Sequence, residues 1–125
     1  MPANYVEIPG CPAHPLTLVS TICYYIAYNR LPSLDNNKRP AFAFGDVVHN
    51  ACMRRGNQVC SNWSDPQFRA GGCLKNIGCK GLGTRANCAL VGWNSGTSYC
   101  TKAGHGCIAC TDAGFWDNTF PMFGR

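Results

Sequence analysis

Charge is scarce in this sequence. Only 14% of the residues are Asp, Glu, Lys or Arg, and the formal balance is +5. The basic residues are scattered, the densest spots being Lys38 with Arg39 and Arg54 with Arg55. No basic stripe with a reading element forms, which excludes an ordinary nucleic-acid binder. Long hydrophobic runs are also missing. The most apolar stretch, residues 16–28, is too short to span a bilayer and is flanked by prolines. The chain therefore offers no transmembrane segment of its own. Its first residues, MPANYVEIPG, lack the charged start and apolar run of a signal peptide. The absence of an internal repeat excludes a solenoid or propeller array.

What the chain has in abundance is cysteine and chain-breaking residues. It holds 125 residues with 10 Cys, 14 Gly and 8 Pro. That length suits one domain, residues 1–125. So many breakers predict a loop-dominated chain with a thin core, of the kind that needs covalent or metal staples. The cysteines are the obvious staples. Thiolates bound to metal would also offset the positive charge.

The pattern along the chain is coarse. In "IPGCPAHP", prolines on both sides of Cys11 hold it on a rigid turn. Pro15 suits the first helical position, and residues 16–28 follow as a helix ended by Leu31-Pro32. That helix is apolar on nearly every face, so it is expected to be buried or docked on another subunit. Residues 32–45 read as a loop. Asp46 is expected to cap a short helix, "VVHNACMRR", that stops at Gly56. His49 and Cys52 then project from one face, a turn apart. Residues 57–72 read as polar and irregular. From Gly71 on, the chain is mostly loop strung between cysteines, and the aromatic tail "FWDNTFPMFGR" is expected to pack.

The spacing of the thiols narrows their chemistry. Cys107 and Cys110 form a C-x-x-C pair, which serves as half a zinc site, half an iron–sulfur site or a redox disulfide. A zinc site wants a second close pair, and none exists. The looser steps, Cys73 to Cys79, Cys88 to Cys100 and Cys100 to Cys107, suit a wide cubane cluster fed from separate loops. A disulfide scaffold gives His49 no role beside Cys52. Iron–sulfur ligation is favoured, with zinc and disulfides as the other readings.

The ordered set of motifs resembles the C-terminal domain of the nickel–iron hydrogenase small subunit. It runs through "IPGCPAHP", "LPSLD", "GDVVHNAC", "RRG", "GGCLKNIGCKG", "NC", "WN", "AGHGCIAC" and "GFWD". The resemblance implies a mainly α domain with extensive irregular loops, stapled by iron–sulfur clusters. It implies a distal 4Fe–4S cluster held by His49, Cys52, Cys73 and Cys79. It implies a medial cluster on Cys88, Cys107 and Cys110, and it makes Cys11 the last ligand of a proximal 4Fe–4S cluster. Many members have proline where this chain has Cys100, and their medial cluster is 3Fe–4S. A cysteine there, shared with some selenium-containing hydrogenases, implies a full 4Fe–4S medial cluster.

The implied function is electron relay between a nickel–iron site, held in a separate large subunit, and an external redox acceptor or donor protein. The family's small subunit opens with a flavodoxin-like domain bearing the other proximal ligands, and that domain is missing here. A second chain is expected to supply it, with Met1 marking a separately encoded half of a split subunit ahead of a fragment. A stand-alone two-cluster ferredoxin-like carrier is the alternative. The resemblance is compatible with a cytoplasmic or membrane-associated complex, or a periplasmic one if the chain is exported with a partner.

Other residues carry simpler expectations. Cys23, mid-helix among apolar neighbours, is expected to be a buried structural thiol. Cys60 is expected to be a free or locally used thiol in a polar loop. His14 is expected to orient the turn after Cys11. His105 either donates a hydrogen bond to a cluster sulfur or packs nearby. Phe115 and Trp116 are expected to shield a cluster, and Trp93 to pack.

Overall fold

A computed structural model describes residues 4–117, so Met1 and the tail from residue 118 lie outside the described residues. Helix α1, Pro15–Tyr28, is the longest element. His14 starts it, its Nδ1 accepting from the Leu16 N–H at 3.2 Å, with proline in the first turn. It ends where Asn29 turns left-handed (φ 48°) and returns its N–H to the Tyr25 carbonyl. These are the bounds the sequence predicts.

The face that α1 buries within the chain is polar. Only Thr17 and Thr21 are buried, and the Thr21 hydroxyl donates to the Thr17 carbonyl at 2.7 Å. Leu16, Val19, Ile22 and Ile26 are exposed, Ile26 at 75%. Cys23 is exposed as well, which corrects the expected buried thiol. The reason is angular. Thr17 and Thr21 lie one turn apart on the stripe that meets the domain, and Cys23, two residues on, points away from it.

The remaining helices are single turns: α2, Ala41–Phe44; α3, Val48–Ala51; α4, Pro66–Arg69; and α5, Cys88–Val91. A 3₁₀ turn spans Lys75–Ile77. Two of these correct the sequence reading. The stretch 32–45 is not all loop, because α2 forms after Pro40. The polar stretch 57–72 contains α4, whose cap Asp65 accepts from the N–H groups of Gln67 and Ser61. A third correction concerns α3, which is shorter than "VVHNACMRR". Asp46 accepts from the Val47 N–H and the Asn50 amide, so Val47 takes the cap position. The helix stops at Cys52 because the next residues are claimed by other loops. Arg54 is buried, and its guanidinium donates to the carbonyls of Phe68, Gly72 and Thr101. Continued helix would break those bonds.

Strand pairing among the described residues is limited to isolated bridges, such as Val47 with Arg85 and Val59 with Cys73. A mostly α, loop-rich class is compatible with this architecture. The apolar core is thin, as the composition predicts. One cluster joins Cys60, Leu74 and Ile77, with Phe68 and Cys79 packed on it. Cys60 is 0% exposed, so it is a core residue rather than an open-loop thiol.

Polar ties do much of the remaining work. Arg39, itself buried, pairs with Asp35 at 2.8 Å and donates to the Thr111 carbonyl at 3.0 Å. Asp35 also accepts from the Arg39 and Asn37 N–H groups. Burial alone would raise the Asp35 carboxyl, but these donors hold it below the ordinary value. Asp35→Asn would leave the Arg39 charge without its partner. Because Asp35 is partly exposed, the expected cost is discounted to about 1–3 kcal/mol. Thermal unfolding of the variant beside the parent chain checks it.

Candidate metal centres

The thiols of Cys88, Cys100, Cys107 and Cys110 line one cavity of about 50 Å³. That is several times the roughly 10–15 Å³ that a single water needs. The four thiols arrive on three pieces of chain. Cys88 opens α5 after Asn87. Cys100 lies two residues beyond the bridge that pairs Trp93 with Ser98. Cys107 and Cys110 flank Ala109, whose left-handed φ of 66° turns the chain between them. Cys107 is buried, Cys88 and Cys110 are half-buried, and Cys100 is exposed at the rim. Among the described residues, no carboxylate lines the recess.

These thiols feel one another. Burial, followed by the neighbouring Cys100 and Cys110, pushes the Cys88 thiol up to about 11. Burial, with Cys79 and Cys88 adding to it, pushes Cys107 up to about 12. Cys100 and Cys110 are raised too, by burial first and then by nearby thiols. Backbone donors oppose this. Ala89, Ala109 and Cys11 present N–H groups to Cys88, Cys107 and Cys110 respectively. Neutral thiols are the resting state of such a pocket at pH 7. Metal ligation must displace their protons, and the N–H donors then serve the resulting thiolates.

The donor set fits an iron–sulfur cluster. It offers four sulfurs, an apolar recess, N–H groups aimed at sulfur, and glycines where a side chain would intrude. A Cβ on Gly81 would stand 3.3 Å from the Cys107 Cβ and 3.5 Å from the Cys79 Sγ. A Cβ on Gly106 would stand 3.0 Å from the Cys79 Cα. Among the described residues, no group of His, Cys, Asp or Glu is arranged to hold a single metal ion.

His49, Cys52, Cys73 and Cys79 lie on neighbouring segments, tied mainly through backbone. The His49 N–H donates to the Gly81 carbonyl, and Gly81 packs on Cys79. The Cys52 N–H returns to the His49 carbonyl, closing the single turn that carries both side chains. Arg54 joins the Cys52 segment to Gly72, next to Cys73. Cys79 stands between the two sets, its Sγ accepting from the Cys107 N–H at 3.3 Å. Cys11 is exposed, and its backbone N–H is among the groups that oppose the rise of the Cys110 thiol.

The family model for the C-terminal region of the NiFe/NiFeSe hydrogenase small subunit matches residues 44–123. The chain belongs to that family. An uptake hydrogenase small subunit of Azotobacter vinelandii is 39% identical over 131 residues, covering 95% of this chain and 37% of that protein. The chain thus spans about a third of the curated relatives it matches. Among solved structures, the [NiFeSe]-hydrogenase of Desulfomicrobium baculatum superimposes with a TM-score of 0.82 at 32% identity, covering 96% of this chain and 44% of that one. An actinobacterial-type NiFe-hydrogenase from Ralstonia eutropha H16 gives a TM-score of 0.78 at 28% identity, covering 96% and 36%. The hydrogenase small-subunit family carries iron–sulfur clusters, in agreement with the donor set.

Other expectations about the site divide. His14 does orient its turn, with Nε2 at 2.7 Å from the Gly92 carbonyl and the ring 4.5 Å from that of Trp93. The His105 Nδ1 lies 2.7 Å from the Gly106 carbonyl, on the strip that packs against Cys79. Trp116 is exposed and stacks edge-on with Phe115, so it is not a buried shield within this chain. Sequence reasoning passed over Thr84, Thr101 and Arg54. All three are buried. Thr84 lines the recess beside Cys107, its hydroxyl meeting the Lys80 carbonyl and the Asp112 carboxylate, and the other two meet Cys52. Their proximity in sequence to cysteines was the available signal.

Proposed function

We propose that this chain is an electron-relay part of a nickel–iron hydrogenase, holding two 4Fe–4S clusters. Cys88, Cys100, Cys107 and Cys110 hold the medial cluster, and His49, Cys52, Cys73 and Cys79 the distal one. Cys11 contributes one ligand to a proximal cluster whose other ligands come from a flavodoxin-like domain. The nickel–iron site belongs to a separate large subunit, and an external redox protein exchanges electrons at the distal end. When bound, the clusters supply the one-electron transfer chemistry. The residues of the chain supply ligation, spacing and insulation.

The observation that carries this reading is the gathering of the four medial thiols on one apolar recess. The order of segments supports the relay. The Cys107 N–H donates to the Cys79 Sγ at 3.3 Å. Backbone thus ties the medial and distal ligand segments together. His49 brings a neutral ligand where a thiolate would bring charge, which favours a higher distal potential.

The test is anaerobic purification of the native chain with whatever accompanies it. Iron and acid-labile sulfide enough for two clusters, together with a nickel-containing large chain, are the expected result. A folded, colourless chain without iron rejects the reading.

A further inference from the structure

The Thr101 hydroxyl lies 3.1 Å from the Cys52 Sγ. Thr101 is only 3% exposed, so its side of that contact is shielded from bulk solvent. Its backbone is fixed by Arg54, whose Nε donates to the Thr101 carbonyl at 2.6 Å. The same guanidinium reaches the Gly72 carbonyl at 2.9 Å, beside Cys73. The Arg54 N–H also points to the Cys52 Sγ, at 3.4 Å. Next to this, the Met53 N–H donates to the Tyr99 hydroxyl at 2.9 Å. The loop 99–101 is therefore clamped onto the segment 52–54 at several points. Thr101 also directly follows Cys100, so one dipeptide touches both proposed ligand sets.

We infer that Thr101 is a positioning and tuning residue of the distal site, its hydroxyl donating to the Cys52 sulfur and raising the distal reduction potential. The inference rests on the reading that Cys52 is a distal-cluster ligand. A metal-bound sulfur carries no proton, so the hydroxyl must be the donor in this pair. Donation to sulfur draws off negative charge. It stabilises the reduced, more negative state over the oxidised one, and hydrogen bonds to cluster sulfurs set potential in this way. The neighbouring buried Arg54 charge acts in the same direction.

The test is a redox titration of the native complex, followed by electron paramagnetic resonance, for the parent, Thr101→Val and Thr101→Ser. Valine keeps the shape and removes the donor, while serine keeps the donor. In the valine variant the distal reduction equilibrium is expected to weaken by several-fold to tenfold, a tenfold change being about 59 mV for one electron. The serine variant is expected to match the parent, and the medial potential to stay in place in both. In the parent, a proton that exchanges in deuterium oxide is expected to couple to the reduced distal cluster. If valine leaves the distal potential unchanged, or moves both potentials together, the inference is overturned. If the valine variant fails to hold its distal cluster, the parent spectrum decides: absence of an exchangeable coupled proton overturns the inference. Iron and sulfide analysis of the parent separates these outcomes from failure of the relay reading itself, which a parent without clusters would reveal.

Discussion

Cys100→Pro is expected to convert the medial site from a four-iron to a three-iron cluster. The geometry makes this the cleanest single change available in the chain. Cys88 and Cys107 are substantially buried, and their removal would open the wall of the recess. Cys100 sits exposed at the rim, so its loss costs little packing. On the proposed ligand assignment, the three remaining thiols would still hold three irons, and only the corner iron would lose its protein ligand. The oxidised variant is expected to gain the electron paramagnetic resonance signal of a 3Fe–4S cluster, which a 4Fe–4S cluster in the same state lacks. Its medial potential is expected to rise by on the order of 100 mV or more, since cluster type is one of the levers on potential. The distal cluster should be unaffected. An unaltered medial spectrum in the proline variant would show that the Cys100 sulfur does not bind iron.

Much of this site could be read in the sequence because its signal is one of residue type and order. Thiols are rare enough that their spacing carries information, and the C-x-x-C at Cys107 survives any uncertainty about the fold. The bounds of α1 were also legible, because Pro15 and the apolar run to Tyr28 are local signals. Three things were not. The burial of Cys60 depends on Leu74 and Ile77, which arrive from a different loop. The early end of α3 depends on carbonyls at Phe68, Gly72 and Thr101, far along the chain from Arg54. The orientation of α1 depends on which stripe meets the domain, and a helix apolar all round does not announce that. Each miss concerns a contact between distant segments in a chain with little regular structure, where periodicity has nothing to report.

The orientation of α1 leads to the second large effect. Ile26→Asp is expected to weaken association with the proposed hydrogenase partner chains strongly while leaving iron content and folding intact. Ile26 is 75% exposed and Leu16 57%, so neither contributes much to the core of this domain. With Val19, Ile22 and Tyr25 they leave an apolar surface along most of the helix. Soluble monomers rarely expose such contiguous surface. Fully covering each large aliphatic side chain is worth about 1.5–3 kcal/mol, and we propose this helix as a docking face for the rest of a hydrogenase. Aspartate at position 26 would have to bury an unpaired carboxylate in that contact. The expected loss is at least about 2–3 kcal/mol, or roughly 30-fold or more in affinity. Co-purification of the variant with the large chain, compared with the parent by size-exclusion chromatography, measures it. Undiminished association would show that α1 faces solvent in the assembly. A parent chain that runs as a stable monomer with both clusters would instead favour the stand-alone carrier. The two outcomes separate in the parent itself, which stays bound to the large chain in the first and runs as a monomer in the second.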